Sequence, residues 1–166
     1  MSSTHRRLSD DHRAVGEVLK QLLTALDGKD IETSYSKLDL LWARLAVHIR
    51  AEHLHLFPTV SSRLAESQAI VENLRADHDF FMRELARAIG VLRERSEEVD
   101  FAAMRNIVRE VEKRLTTHNE IEEDQIYRWA SIILTQPEQT ELLARINAEL
   151  ENRPARFSEE AWANLL

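Results

Sequence analysis

No cysteine occurs among the 166 residues. That absence excludes disulfides, zinc–thiolate sites, iron–sulfur clusters ligated within the chain, and any cysteine nucleophile. Glycine and proline number three each and are scattered, whereas a β-rich fold needs many turn residues. No stretch approaches the roughly eighteen consecutive apolar residues of a membrane span. The first twenty residues hold no apolar block, so no secretory signal is read there. Positive charge is short as well: 22 Lys plus Arg stand against 29 Asp plus Glu, a formal net charge of −7. Nucleic acid and anionic membrane are therefore poor partners. A cytoplasmic protein with the length of one domain is expected.

What the chain does have is helical periodicity almost throughout. A first helix is expected from Ser9, as N-cap, to Leu26, with His12, Val15, Leu19, Leu22 and Leu26 inward. A second carries Leu38, Leu41, Leu45, His48 and Glu52 on one face and ends at Pro58. A third runs from near Gln68 to about Arg95, with Leu74, His78, Phe81, Leu85 and Leu92 inward. A fourth follows Asp100 and presents Met104, Val108, Val111, Leu115, His118, Glu122 and Gln125. Thr135 and Glu138 have capping-box spacing and open a fifth helix reaching Asn152, and a short final helix is expected behind Ser158. The fold read from this pattern is all-α. An up-and-down four-helix bundle covers residues 8–134, and a helical extension over 135–166 packs on the bundle or at an interface.

The inward stripes contain an anomaly. His12, His48, His78 and His118 each interrupt an apolar face, one per long helix, and Glu52 and Glu122 sit inward too. Buried ionisable groups cost several kcal/mol unless paired or bound to metal. His48 and Glu52 are four residues apart, as are His118 and Glu122, so each pair shares a helix face one turn apart. Registry strengthens the case. With a turn centred near residue 29, His12 lies seventeen residues before it and His48 nineteen after. About a turn near residue 64, Glu52 and His78 lie twelve and fourteen away, and about residue 97, His78 and His118 lie nineteen and twenty-one away. Each mismatch is about 3 Å of helical rise, which puts all four histidines at one level of an antiparallel bundle.

Four imidazoles and two carboxylates without thiolate suit iron, manganese or zinc rather than copper(I) or a cluster. Two carboxylates in a bundle core can bridge two metals. A ferritin-like site needs Glu-x-x-His on two helices, and here that pattern occurs once, at Glu52 and His55. His53 lies about 100° around the helix from Glu52 and is expected in solvent, whereas His55 is expected in the core or behind a ligand. His5 is expected ahead of the first helix. Trp42, Phe80, Phe81 and Trp129 read as packing. Glu120, Glu123 and Asp124 read as a solvated face, and Tyr127, two and a half turns beyond His118, as too distant to ligate.

The order of these groups resembles the hemerythrin-like, or HHE cation-binding, domains. The resemblance is carried by Asp-Asp-His12-Arg, then His48-Ile-Arg-Ala-Glu52 running into Leu56-Phe57-Pro58, Asp-His78-Asp-Phe-Phe, and His118-Asn-Glu-Ile-Glu122. It spans residues 8–134. It implies two non-haem iron ions, oxo- or hydroxo-bridged, with Glu52 and Glu122 between them. By analogy His12 and His48 serve one iron, and His78 and His118 the other. Oxygen-carrying members have a further histidine one turn before the third-helix ligand, and here that place is Leu74. The four-histidine pattern resembles instead the sensor, iron-handling, nitric-oxide-responsive and peroxide-active branches. The resemblance thus implies binding of a small ligand, dioxygen or nitric oxide, or of iron itself, for sensing, storage or delivery. The alternative is an enzyme acting on peroxide or nitric oxide, or donating iron for cluster repair. The first reading is preferred because neither Gly-x-Gly-x-x-Gly nor a P-loop is present to bind a nucleotide-type electron source.

Overall fold

The structure, a computed structural model, describes residues 1–93 and 99–154. Helix α1 spans Ser3–Asp27, α2 Ile31–Ala51, α3 Phe57–Ser61, α4 Ser67–Arg93, α5 Phe101–Ile121, α6 Arg128–Ile133 and α7 Gln136–Glu151. Two π-helical segments, Glu52–Leu56 and Glu122–Tyr127, join α2 to α3 and α5 to α6. No strand occurs among the described residues, and no helix among them is long and apolar enough to cross a membrane. The all-α reading holds. The end of the third helix at Arg95 and the final helix behind Ser158 fall outside the described residues.

Helices α1, α2, α4 and α5 form the bundle. Each packs against two neighbours, α1 on α2 and α5, and α4 on α2 and α5. Two of these helices, α2 and α5, start with an aspartate side-chain cap. Asp30 accepts from the Thr33 amide at 3.0 Å, and Asp100 accepts from the Ala103 amide at 2.9 Å. The core lies in two parts. One, from Val15, Leu45 and Ile49 through Phe81 to Leu115, fills the bundle between the site and the α1–α2 turn. The other gathers Leu8, Val47, Leu56, Phe57, Leu74 and Tyr127 with Leu142 and Ile146 of α7. The ionisable layer of His12, His48, His78, His118, Glu52 and Glu122 separates them.

Two boundaries differ from those read in the sequence. Helix α1 begins six residues before Ser9, with Ser2 accepting from the His5 amide at 3.2 Å. The early turns are held by tertiary contacts that propensity does not encode: Leu8 is fully buried, and Arg7 donates to Asn147 of α7 at 3.0 Å. Nor does the second helix stop at Pro58. Proline sits in the first turn of α3, where its missing amide is no loss, and the chain continues helically to Ser61.

Candidate metal centre

The six inward residues meet at one level of the bundle. Glu52 and Glu122 have no exposed surface, and the four histidines are between 2% and 8% exposed. Donor atoms of His12, His48, Glu52 and Glu122 lie within 4.8 Å of one another, as do those of His78, His118 and Glu122. Glu122 belongs to both groups. Glu52 also spans them, since its Oε1 is 3.4 Å from His48 Nε2 and its Oε2 is 3.4 Å from His78 Nε2.

Each imidazole is held from behind and points Nε2 inward. His48 Nδ1 donates to Asp11 at 2.9 Å, His118 Nδ1 to Asp77 at 3.1 Å, and His12 Nδ1 to Glu123 at 2.8 Å. His78 Nδ1 meets His53 Nε2 at 2.9 Å. Burial pushes the His53 ring down to about 3, with His78 adding to the effect. A neutral His53 accepts at Nε2, so the fourth ring also directs its Nδ1–H outward. Outward bonds of this kind fix the tautomer and raise ligand basicity in metal-binding histidines.

Without metal the layer is a set of buried ion pairs. For His118, burial works against the charged ring, but Glu122 and Asp77 outweigh it and raise the value to about 9. His12 and His48 are also raised against burial, His12 by Glu122 and Glu123, His48 by Glu52 and Asp11. Glu122 goes the other way: burial favours its acid, yet His118 and the other rings hold it well below the usual carboxylate range.

The pairing is incomplete. Glu52 Oε2 and Glu122 Oε1 are buried and lack a hydrogen-bond partner among the described residues. His118 Nε2 forms an ion pair with Glu122 Oε1 at 3.0 Å. A buried carboxylate oxygen left without a donor is costly. The two orphaned oxygens both face His78, at 3.4 and 3.5 Å. Cations between them and the Nε2 atoms would satisfy both, so this donor set fits bound metal.

Four residues near the layer stand where the sequence reading did not put them. His53 is half-buried against His78 rather than in solvent. Glu123, read as solvated, holds His12. His5 lies within α1, edge-on to Tyr127 at 5.6 Å. Tyr127 is fully buried, and its hydroxyl lies 2.6 Å from Glu52 Oε1 and 3.2 Å from Glu122 Oε2. The cause for Tyr127 is the π turn beginning at Glu122. In an α-helix a residue five positions on is turned about 140° away, but a π turn brings it back to the same face. Burial, followed by the charges of Glu122 and Glu52, raises the Tyr127 phenol well above its ordinary value. His55, expected in the core or behind a ligand, is instead half-buried and bonds Glu149 of α7 at 3.3 Å, away from the centre.

Comparison with known proteins agrees with this geometry. The model of the hemerythrin HHE cation-binding domain matches residues 3–130. No match was found among curated proteins or among solved structures. The matched span contains all six inward residues and every helix of the bundle, and the chain belongs to the hemerythrin HHE cation-binding domain family.

Proposed function

We propose that the protein binds two iron ions between His12, His48, Glu52, His78, His118 and Glu122, and uses them to bind a small ligand such as dioxygen or nitric oxide for sensing, storage or delivery. The observation that carries this reading is the pair of orphaned carboxylate oxygens on Glu52 and Glu122, with a cavity of about 10 Å³ against Glu122. That volume holds about one water-sized molecule. Its lining includes all four histidines with Val15, Leu45, Ile49 and Leu115. A space of this scale suits a small ligand rather than a substrate of many heavy atoms.

The roles of the chain's own groups follow from their places. The imidazoles and carboxylates hold the cations, and bound iron supplies an exchangeable position and accessible oxidation states. Asp11, Asp77, Glu123 and His53 fix the ring orientations. The apolar wall excludes bulk water and lets only small uncharged molecules approach without a desolvation penalty. Leu74, 1% exposed, lies in the second core cluster and offers no donor. The sites therefore lack the fifth histidine of the oxygen-carrying relatives.

The experiment is metal analysis of protein expressed with ample iron, with optical spectra before and after nitric oxide or peroxide. Two irons per chain and a spectrum that responds to nitric oxide are expected. One tightly bound zinc, or no metal, would overturn the assignment.

A further inference from the structure

The two halves of the centre follow one plan along the chain. Asp11-His12 on α1 corresponds to Asp77-His78 on α4, and His48-x3-Glu52-His53-x3-Phe57 corresponds to His118-x3-Glu122-Glu123-x3-Tyr127. The contacts repeat too. Each aspartate holds the histidine of the next long helix, and the residue after each carboxylate holds the histidine of the other half. Phe57 stacks on His78 at 5.9 Å and 5°, and Tyr127 stacks on His12 at 5.5 Å and 27°. Where Tyr127 carries a hydroxyl, Phe57 has only its ring.

That hydroxyl oxygen is enclosed by the first donor group. It lies 2.6 Å from Glu52 Oε1, 3.0 Å from His12 Nε2, 3.2 Å from Glu122 Oε2 and 3.4 Å from His48 Nε2. Along the base of the figure, His12 Nε2 is 3.2 Å from both His48 Nε2 and Glu122 Oε2, and His48 Nε2 is 3.4 Å from Glu52 Oε1. In an octahedral site with bonds of about 2.1 Å, adjacent donors stand about 3 Å apart. Seven of the eight edges of a square pyramid with the tyrosine oxygen at its apex thus measure between 2.6 and 3.4 Å. Hydrogen bonding alone accounts poorly for this arrangement, because a phenol has one proton and two lone pairs for four polar neighbours.

We infer that Tyr127 is an additional metal ligand, binding as phenolate to the cation held by His12, His48, Glu52 and Glu122. Its proton leaves to solvent as the oxygen–metal bond forms. The inference rests on the two-metal reading above. It makes the halves unequal: the His12–His48 position takes five donors from the protein. The His78–His118 position, backed by Phe57, keeps more places for an exogenous ligand.

The test uses the full chain loaded with ferric iron, with iron content measured alongside visible absorption and resonance Raman spectra. A phenolate-to-iron band in the visible is expected, with tyrosine ring modes enhanced on excitation within it. The only other tyrosine, Tyr35, accepts from Arg93 Nε at 2.9 Å. Tyr127→Phe should remove the band and the ring modes while Tyr35→Phe retains them. Iron-loaded wild-type protein without tyrosine ring modes overturns the inference and leaves the metal reading intact. So does a band that persists in Tyr127→Phe. Protein that takes up no iron overturns both.

Discussion

His48 donates through Nδ1 to Asp11 at 2.9 Å, and that bond turns its Nε2 towards Glu52. Asp11 is buried, and although burial raises its carboxyl, His48 holds it below the ordinary range. The pair is therefore charged or strongly polarised. Asp11→Asn keeps the shape and removes the charge that makes the ring a better donor. Metal affinity should fall about 10- to 100-fold, with helical content unchanged. Chelator competition measures this, and unaltered affinity would show that Asp11 serves packing alone.

Metal removal should expose the ion-pair character of the layer as a pH dependence. His118 has a folded value of about 9 against 6.5 in a model peptide. A raised value means that the charged ring stabilises the fold. That contribution is complete below 6.5 and is lost as pH climbs through about 9. His12 and His48 act in the same direction. Glu122 is depressed, so its contribution is present above 4.5 and is lost only in acid. Metal-free protein should therefore melt progressively lower as pH rises from about 6.5 to about 9. Loaded protein should gain stability relative to it over the same range, because metal needs the unprotonated rings. Parallel melting curves with no divergence would contradict this.

Loading should also raise the melting temperature at fixed pH, since the site is assembled only in the folded state. Free metal at a hundred times its dissociation constant gives about 2.7 kcal/mol. Calorimetry on the two forms decides it; equal transitions count against a buried site.

The two histidines near Glu52 should separate cleanly. His53→Ala leaves His78 Nδ1 without its partner and should weaken one metal position about tenfold or more. His55→Ala removes a contact to Glu149 at 3.3 Å and should leave metal binding alone. If both changes reduce affinity equally, the placement of His55 outside the centre is wrong.

The level of the four histidines was legible because it depends only on the α-helical rise and on short turns, both of which the chain obeys through His48 and His118. The residues around them were not. Beyond Glu52 and Glu122 the backbone takes a π turn, which no local composition announces. Every phase argument carried past those carboxylates therefore drifts. Hence α-helical phase puts Tyr127 at a distance and His53 in solvent, while it brings His12 and Glu122 inward. Pro58, read as a stop, follows the first π turn and is accommodated by it. The outward partners Asp11, Asp77 and Glu123 are acidic residues beside inward ones, and nothing but the fold distinguishes them from solvated acids such as Glu120.

Leu74 offers a test of the missing histidine. It is packed with Phe57, Val47 and Leu56 in the second core cluster. Leu74→His places a polar ring in that apolar pocket and should destabilise metal-free protein by about 1–3 kcal/mol. Iron should restore much of the loss if the ring reaches the nearer cation, and should slow oxidation of the reduced protein by air. A variant equally destabilised with and without iron would show that the ring cannot reach.

The repeated plan of the two halves has a consequence for modularity. A single helical pair carrying Asp-His on its first member and His-x3-Glu on its second holds half of the six-residue donor layer. Its aspartate is satisfied within the pair, but the residue after its glutamate reaches for a histidine the pair does not contain. Such a hairpin is an incomplete device that a two-fold copy of itself would complete. The present chain is then equivalent to a covalently tethered dimer, in which each half has been free to diverge. The Phe57–Tyr127 difference is the kind of inequality that strict two-fold symmetry forbids and tethering permits.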